Sequence, residues 1–304
     1  LKNNLYKIEE EISKLNSQDI VTGKWKKYKI KKYNLKAMPP INYFGRTHVY
    51  MKFLEEIKKI LLEMGFEEYD ESYIVPEFWN FDVLFVPQDH PARDLQSTFK
   101  LKLNPANIEE ELMLKVKKMH EEGMGDSIGW RYKWNAEIAK KLILRTHTTV
   151  VSAKYLYNYK DKEAKMFCIS RNFRYDIPDP THFIEFYQCE GIMVGKKLNF
   201  SNLLGFLKEF ASRLGLEKIK FKPTYFPFTE PSVEGSVYHK NLGWIEALPG
   251  GMFRPELLIP LGVTYNVLAW GIGIDRIAMT VLEITDIREL FSKNLNFLRE
   301  AKLI

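Results

Sequence analysis

Between Phe173 and Gly191 the chain reads FRYDIPDPTHFIEFYQCEG, and three residue types in it can do chemistry together. An arginine closes an apolar run, a loop rich in Pro and Asp follows, and an alternating run then carries polar groups. Read with a period of two, Phe186, Gln188 and Glu190 share one face, while Tyr187 and Cys189 share the other. A ring, an amide and a carboxylate side by side make a poor core and a good floor for a small polar ligand with an aromatic part. Arg174, on the preceding run, is placed to reach a phosphate above that floor. Glu190 stands between Cys189 and an apolar GIMV, where a carboxylate is costly unless it meets a cation.

The elements that must position these groups form an α+β pattern. Residues 3–16 read as a polar helix, and 47–64 as an amphipathic helix with Val49, Phe53, Ile57, Ile60 and Leu61 at helical spacing, stopped by Gly65. Strand-like runs occupy 66–76, followed by a polar loop to about Pro91. Residues 108–122 read as a helix, and 135–158 as another, broken near RTHTT. A period-two hairpin spans 165–194, a helix spans 201–214, and a last helix runs from Ile272 to Leu282. Strands that come mostly as hairpins predict an antiparallel β-sheet flanked by helices. Neither a Walker-type loop nor zinc-ligand spacing is present in the sequence.

Charge is uneven along the 304 residues. Residues 1–36 hold ten lysines against four acids, a net of +6 that equals the net charge of the whole chain. This predicts a basic N-terminal arm or linker over 1–36 and a separate, balanced domain over 37–304. In GKWKKYKIKKYNLK the lysines interleave with Trp25, Tyr28 and Tyr33, as an RNA-backbone contact would, although a solvated surface segment is the favoured account, since lysine-rich surface segments are common. Hydrophobic content of 45% suits a globular protein, and no apolar run reaches the length of a membrane span. Two cysteines, Cys168 and Cys189, both in strand-like runs, read as buried thiols of a reducing, cytoplasmic compartment.

The 173–191 stretch resembles motif 2 of the class II aminoacyl-tRNA synthetases. More narrowly, the chain resembles the catalytic α subunits of phenylalanyl-tRNA synthetases of the archaeal and eukaryotic type. WNFDVLFVPQDHPARDLQSTF at 79–99, LRTHTTVVSA at 144–153, YFPFTEPS at 225–232, GGMFRPE at 250–256 and AWGIGIDRIAM at 269–279 resemble that family in its own order. The resemblance implies the class II catalytic fold, ATP as substrate, Mg²⁺ as cofactor, and activation of phenylalanine followed by transfer to tRNA(Phe). It also implies a separate β subunit and an (αβ)₂ heterotetramer. The chain starts at Leu1 with none of the family's N-terminal tRNA-binding extension, which predicts a catalytic fragment or a short natural paralogue.

Residue by residue, the resemblance puts Arg174 on the α-phosphate, Arg276 on the γ-phosphate and Phe186 against adenine. Gly271 and Gly273 precede Arg276 where side chains would crowd the ligand. Asp176 and Asp275 stand where the class carries Glu, one methylene shorter. His147, Thr149, Gln188 and Glu190 match the polar group around the substrate's ammonium and carboxylate. Phe226 and Phe228 match aromatic walls of the side-chain pocket and Ala269 its floor, with Phe253 a candidate for a third pocket aromatic. Glu230 and Glu246 are candidates for holding Mg²⁺, and His90 of HPARD for a structural role or a contact with the tRNA end. Two other readings stay open: a class II ligase-like paralogue for a different amino acid, and a non-catalytic paralogue that binds an amino acid or a partner. An apolar lining at Phe226, Phe228 and Ala269 argues against a phosphoserine pocket, and two phosphate-facing arginines argue against a pure binding module.

Overall fold

The run from Ala164 to Gly195 folds as the period-two reading requires, and it forms the centre of the molecule. In the computed structural model, which describes residues 11–32, 44–94, 97–239 and 243–301, Ala164–Phe173 (β6) and Glu185–Gly195 (β7) pair antiparallel with Cys168 opposite Glu190. The chain divides into two compact units, Leu1–Arg46 and Thr47–Ile304, a boundary somewhat later than the charge boundary at Lys36. In the first unit, Glu11–Ile12 (β1) pairs parallel with Lys29–Ile30 (β2), and Ser17–Val21 (α1) is capped by Asn16. Most of the helix expected over 3–16 lies outside the described residues. Its end differs from expectation, since Glu11–Ile12 is extended.

The second unit is built on a seven-stranded sheet in the order β3-β6-β7-β11-β10-β9-β8. Its further strands are Glu67–Glu68 (β3), Ile219–Phe226 (β8), Thr229–His239 (β9), Gly243–Phe253 (β10) and Asn266–Gly273 (β11). Every pairing is antiparallel except β3 with β6, so the sheet is mixed at one edge rather than purely antiparallel. Val49–Glu63 (α2), Phe200–Arg213 (α6) and Ile274–Leu282 (α8) cover one face, burying Phe53, Ile57, Phe210 and Ile277 against Trp270 and Cys189. Glu110–Glu121 (α3), Thr149–Tyr159 (α5) and Pro255–Leu261 (α7) cover part of the other face over Ile192, Val267 and Ala269. Both cysteines are buried free thiols. None of the described helices is long and apolar enough to cross a membrane.

Two segments depart from the sequence reading. The stretch expected to be a polar loop before Pro91 contains a single wide helical turn, Phe78–Asp82, that is buried along its length except for Trp79. Its polar residues are satisfied by partners far along the chain. The Asp82 carboxylate accepts from Trp134 Nε1 at 2.6 Å, Gln88 Nε2 at 3.0 Å and Arg93 at 3.1 Å, and Arg93 also pairs with Glu77. HPARD therefore contributes an internal clamp through Arg93, while His90 accepts from the Ala92 amide at 3.1 Å. The helix expected over 135–158 is two helices, Ala136–Ala139 (α4) and α5, separated by Leu142–Leu144 (β5), which pairs with Ile74–Pro76 (β4). Arg145 causes the break: its buried guanidinium donates to the Arg171 carbonyl at 3.0 Å, to Asp70 at 3.2 Å and to the Glu71 carbonyl at 3.0 Å, which holds its backbone away from a helix.

Gly191 shows how tightly the covered face is packed. A Cβ there would stand 2.1 Å from the Trp270 ring on the neighbouring strand, and that ring is wedged against Phe206 at 4.0 Å between centroids. Replacing Gly191 with Ala is expected to destabilise the unit by about 1–3 kcal/mol, the usual cost of overpacking. A chemical denaturation midpoint indistinguishable from that of the parent chain would refute this.

Candidate active site

The uncovered part of the sheet is a cavity of about 420 Å³ whose floor is β7 and β11. Register sets the floor: Gly271 lies opposite Glu190 and Gly273 opposite Gln188. Because Gly271 has no side chain, the two polar groups of β7 spread across it. A Cβ at Gly271 would fall 2.9 Å from Glu190 Oε2 and 3.2 Å from Gln188 Nε2. Phe186, Gln188 and Glu190 all line the cavity, and Cys189 turns into the core behind the sheet, as alternation requires.

Glu190 is 2% exposed. Thr149 Oγ1 and Ser152 Oγ each donate to it at 3.3 Å, from the first two turns of α5. It forms no ion pair with any of the described residues. Burial pushes its pKa up to about 8, and the two hydroxyl donors only partly offset this. A carboxylate so enclosed, open only to a cavity, is a receptor for a cation. Gln188 beside it is held at both ends: Oε1 accepts from Asn172 Nδ2 at 2.9 Å and from the Thr148 amide at 3.3 Å, and Nε2 donates to the Gly271 carbonyl at 3.3 Å.

The loop before α5 supplies the wall. Asn80 holds it, donating to Thr146 Oγ1 at 2.9 Å and accepting from the Thr146 amide at 3.1 Å. His147 then points to the cavity between Phe81 and Phe228, at ring distances of 6.3 Å and 6.1 Å. Desolvation, followed by the charges of Arg174 and Arg145, holds its pKa down to about 3, so the ring is neutral at physiological pH. Its buried Nδ1 has no hydrogen-bond partner among the described residues. Phe226 and Phe228, at the β8–β9 turn, lie nearly parallel with centroids 6.5 Å apart and form an aromatic side of the cavity. Ala269 closes the floor beneath them.

The opposite end of the cavity carries two arginines among carboxylates. Arg174 lies over the Phe186 ring at 5.0 Å and is anchored by an Nε–H bond to the Thr146 carbonyl at 3.1 Å. Arg276, in the first turn of α8, donates to the Glu246 carbonyl at 3.3 Å and lines the same space, as does Asp176. A planar slot between an aromatic face and two guanidiniums suits a nucleotide: the base on the ring, the phosphates on the arginines.

Asp275 has a different place from its neighbour. One carboxylate oxygen accepts both from the Tyr50 hydroxyl of α2 and from the Tyr187 amide, the latter at 3.1 Å, tying α2, β7 and α8 together under the slot. Burial raises its pKa to about 7. Phe253 and Glu230, like His90, are candidate residues that do not line the cavity. Phe253 is buried behind Phe228, ring to ring at 6.5 Å, and supports that wall from the rear. The Glu230 side chain is 78% exposed, 3.9 Å from Arg254.

Three lining or supporting residues escaped the sequence reading. Glu234 lies in the cavity beside Glu246. Burial, and then the charge of Glu246, pushes its pKa up to about 7. The alternation of β9 carried a signal for it, since Ser232, Glu234 and Ser236 form one polar row. Ser152 was legible as the residue one helical turn after Thr149. Tyr50 was not legible, because its partner is 225 residues away.

The class II tRNA synthetase core-domain model, type F, matches residues 32–301. Curated relatives share the resemblance along nearly the whole chain. The phenylalanine–tRNA ligase alpha subunit of Methanocaldococcus jannaschii is 48% identical over 98% of this chain, and that of Saccharolobus solfataricus 44% over 96%. The corresponding subunit of Thermococcus gammatolerans is 46% identical over 98%. This chain spans 62%, 61% and 60% of those three relatives.

The buried glutamate predicts opposite effects on stability and on binding. With a folded pKa near 8 against 4.5 when free, Glu190 keeps its proton in the folded chain while the unfolded chain loses it, so stability falls as pH rises from about 4.5 to 8. Glu190→Gln should therefore be more stable than the parent at pH 7, on the order of a few kcal/mol, and should show a flatter pH–stability curve. It should also lose binding of an ammonium-bearing ligand. Thermal melts between pH 5 and 8.5 check the first part, and a variant less stable than the parent at every pH would overturn it.

Proposed function

The chain belongs to the class II tRNA synthetase core family, and from that premise we propose that it activates phenylalanine with ATP and passes the phenylalanyl group to tRNA(Phe), working with a separate β subunit. The reading rests most heavily on Glu190, a buried carboxylate without a cationic partner among the described residues, at the foot of a cavity walled by Phe226 and Phe228. An α-amino acid with an apolar ring supplies the missing cation and fills the aromatic side. The relatives named phenylalanine–tRNA ligase alpha subunit support the same substrate.

Activation needs no protein nucleophile. The amino acid's carboxylate oxygen attacks the α-phosphorus of ATP, a new P–O bond forms, and the bond to pyrophosphate breaks. The protein must hold two anions in line and stabilise charge that develops on phosphate. Glu190 fixes the ammonium, with Thr149 and Ser152 orienting the carboxylate that binds it. Gln188, held by Asn172, lies between the ammonium site and the nucleotide slot and keeps that geometry rigid. Phe186 offers a stacking face, and Arg174 and Arg276 neutralise the phosphates. His147, neutral, provides a dry part of the wall.

For Mg²⁺ the fit lies with Glu234 and Glu246 on adjacent strands of the cavity. Burial, and then the charge of Glu246, raises the Glu234 carboxyl, and a divalent cation would offset both, with Glu246 leaving its pairing with Lys222. Glu230 is less suited, since it does not line the cavity. When bound with ATP, the ion would neutralise phosphate charge. The 1–36 segment as a separate basic arm, and a cytoplasmic setting, complete the proposal.

The test is amino-acid-dependent ATP–pyrophosphate exchange across the standard amino acids, with the chain alone and with a β subunit. Exchange with phenylalanine alone is expected. Exchange with another amino acid would overturn the substrate and keep the chemistry, whereas silence from the folded complex would overturn both. Arg276→Ala should lower exchange by roughly 10²–10³-fold while leaving the melting temperature nearly unchanged. Ala269→Gly, by deepening the floor, should admit ring-substituted phenylalanines, and strict rejection of them would show that Ala269 does not limit the pocket.

A further inference from the structure

The face of the sheet that carries the cavity continues beyond it along β8, β9 and β10. Glu234 and Glu246 belong to the cavity wall, and Ser236 and Tyr238 follow Glu234 on the same side of β9, as Trp244 precedes Glu246 on β10. Val233 and Val237 point the other way, into the core. On β8, Ile219 and Phe221 pack on that core, so Lys218, Lys220 and Lys222 stand on the cavity side. Lys222 is paired to Glu246 at the rim.

Past the rim the groups form an ordered arrangement. Tyr238 and Trp244 lie opposite each other in register and meet edge to face at 5.4 Å. The ammonium of Lys220 lies 4.1 Å from the centre of the Trp244 ring, and that of Lys218 lies 5.0 Å from the Tyr238 ring. Both rings are 41% exposed, and neither lysine has a carboxylate partner among the described residues. Tyr238 is four residues from Glu234, about 13 Å along the strand.

We propose that this strip, Lys218, Lys220, Tyr238 and Trp244, binds single-stranded RNA and leads its end towards the cavity. The exposed rings offer aromatic surface for bases of any sequence where their lysines do not cover them, and the ammonium groups over the rings, without a carboxylate partner among the described residues, can swing out to meet the phosphates between those bases. A protein partner is less well matched, because lysines, which are depleted at protein interfaces, lie over both rings. The identification of the RNA as the acceptor end of a tRNA rests on the function proposed above. The binding itself does not.

The probe is a labelled single-stranded RNA dodecamer ending in CCA, followed by fluorescence anisotropy against the full chain over a range of salt. The parent is expected to bind. Lys218→Gln/Lys220→Gln should weaken binding and lower the salt dependence by about 1.4 in slope, the release expected for two lost phosphate contacts on a single strand. Trp244→Ala should weaken binding roughly fivefold or more with the slope unchanged. ATP–pyrophosphate exchange should stay at the parent level in all variants, because these residues lie outside the cavity. Absence of RNA binding by the parent, or variants that bind as the parent does, would overturn the proposal even if exchange is robust. Variants that bind RNA normally but lose association with a β subunit in sedimentation would assign the strip to a protein contact instead. Failure of exchange with intact, variant-sensitive RNA binding would sink the proposed activity and leave the strip standing.

Discussion

A carboxylate held out of water in the middle of a sheet is the constraint around which the rest of this fold is arranged. Glu190 has no cation among the described residues, and its two hydroxyl partners cannot replace hydration. Keeping it there requires Gly271 across the ladder, because any side chain would collide with it. It also requires α5 to begin where Thr149 and Ser152 reach down. That start depends on Arg145, which anchors the preceding backbone to Asp70 and Arg171, and on Asn80, which holds Thr146. A cost in folding stability is thus maintained by a chain of buried polar contacts, the usual signature of a site built for a ligand.

The two faces of the sheet divide the labour. On one, Trp270, Phe206 and Phe66 pack ring against ring and leave no space even for a methyl group at Gly191. That face makes the floor rigid. On the other, small residues at Ala269 and Gly271 keep the floor low, and the covering helices leave the cavity open. Asp275 joins the two sides. Its bonds to Tyr50 and to the Tyr187 amide fix the start of α8, hence Arg276, relative to the strand that bears Phe186 and Gln188. Positional precision of this kind is what in-line transfer between two anions demands.

Much of this was legible along the chain, and the reason differs by element. The β6–β7 hairpin and helices α2, α3, α6 and α8 announced themselves through hydrophobic period, a local property. The segment 77–94 misled because its Asp, Gln, His and Arg imply solvent, whereas Asp82, Arg93 and Glu77 are buried against one another and against Trp134. The break between α4 and α5 was marked by RTHTT, but its cause, the buried Arg145, lies in contacts 26 to 75 residues distant. Glu234 could have been read from the alternation of β9, and Tyr50 could not.

By itself the sequence determined the family, the α+β class and most of the residues that meet in the cavity, because ordered motifs and two-residue alternation are written in neighbouring positions. Which of those residues face the cavity and which stand behind it was decided only by tertiary structure. Phe253 backs Phe228 instead of lining the space, Glu230 turns outward, and Glu234 takes the place beside Glu246. Asp275 becomes a tie between elements, and Glu190 stays without a cation among the described residues. Each outcome depends on strand register and on partners far along the chain, and desolvation, the largest influence on Glu190 and Asp275, exists only once the sheet and its helices have closed around them.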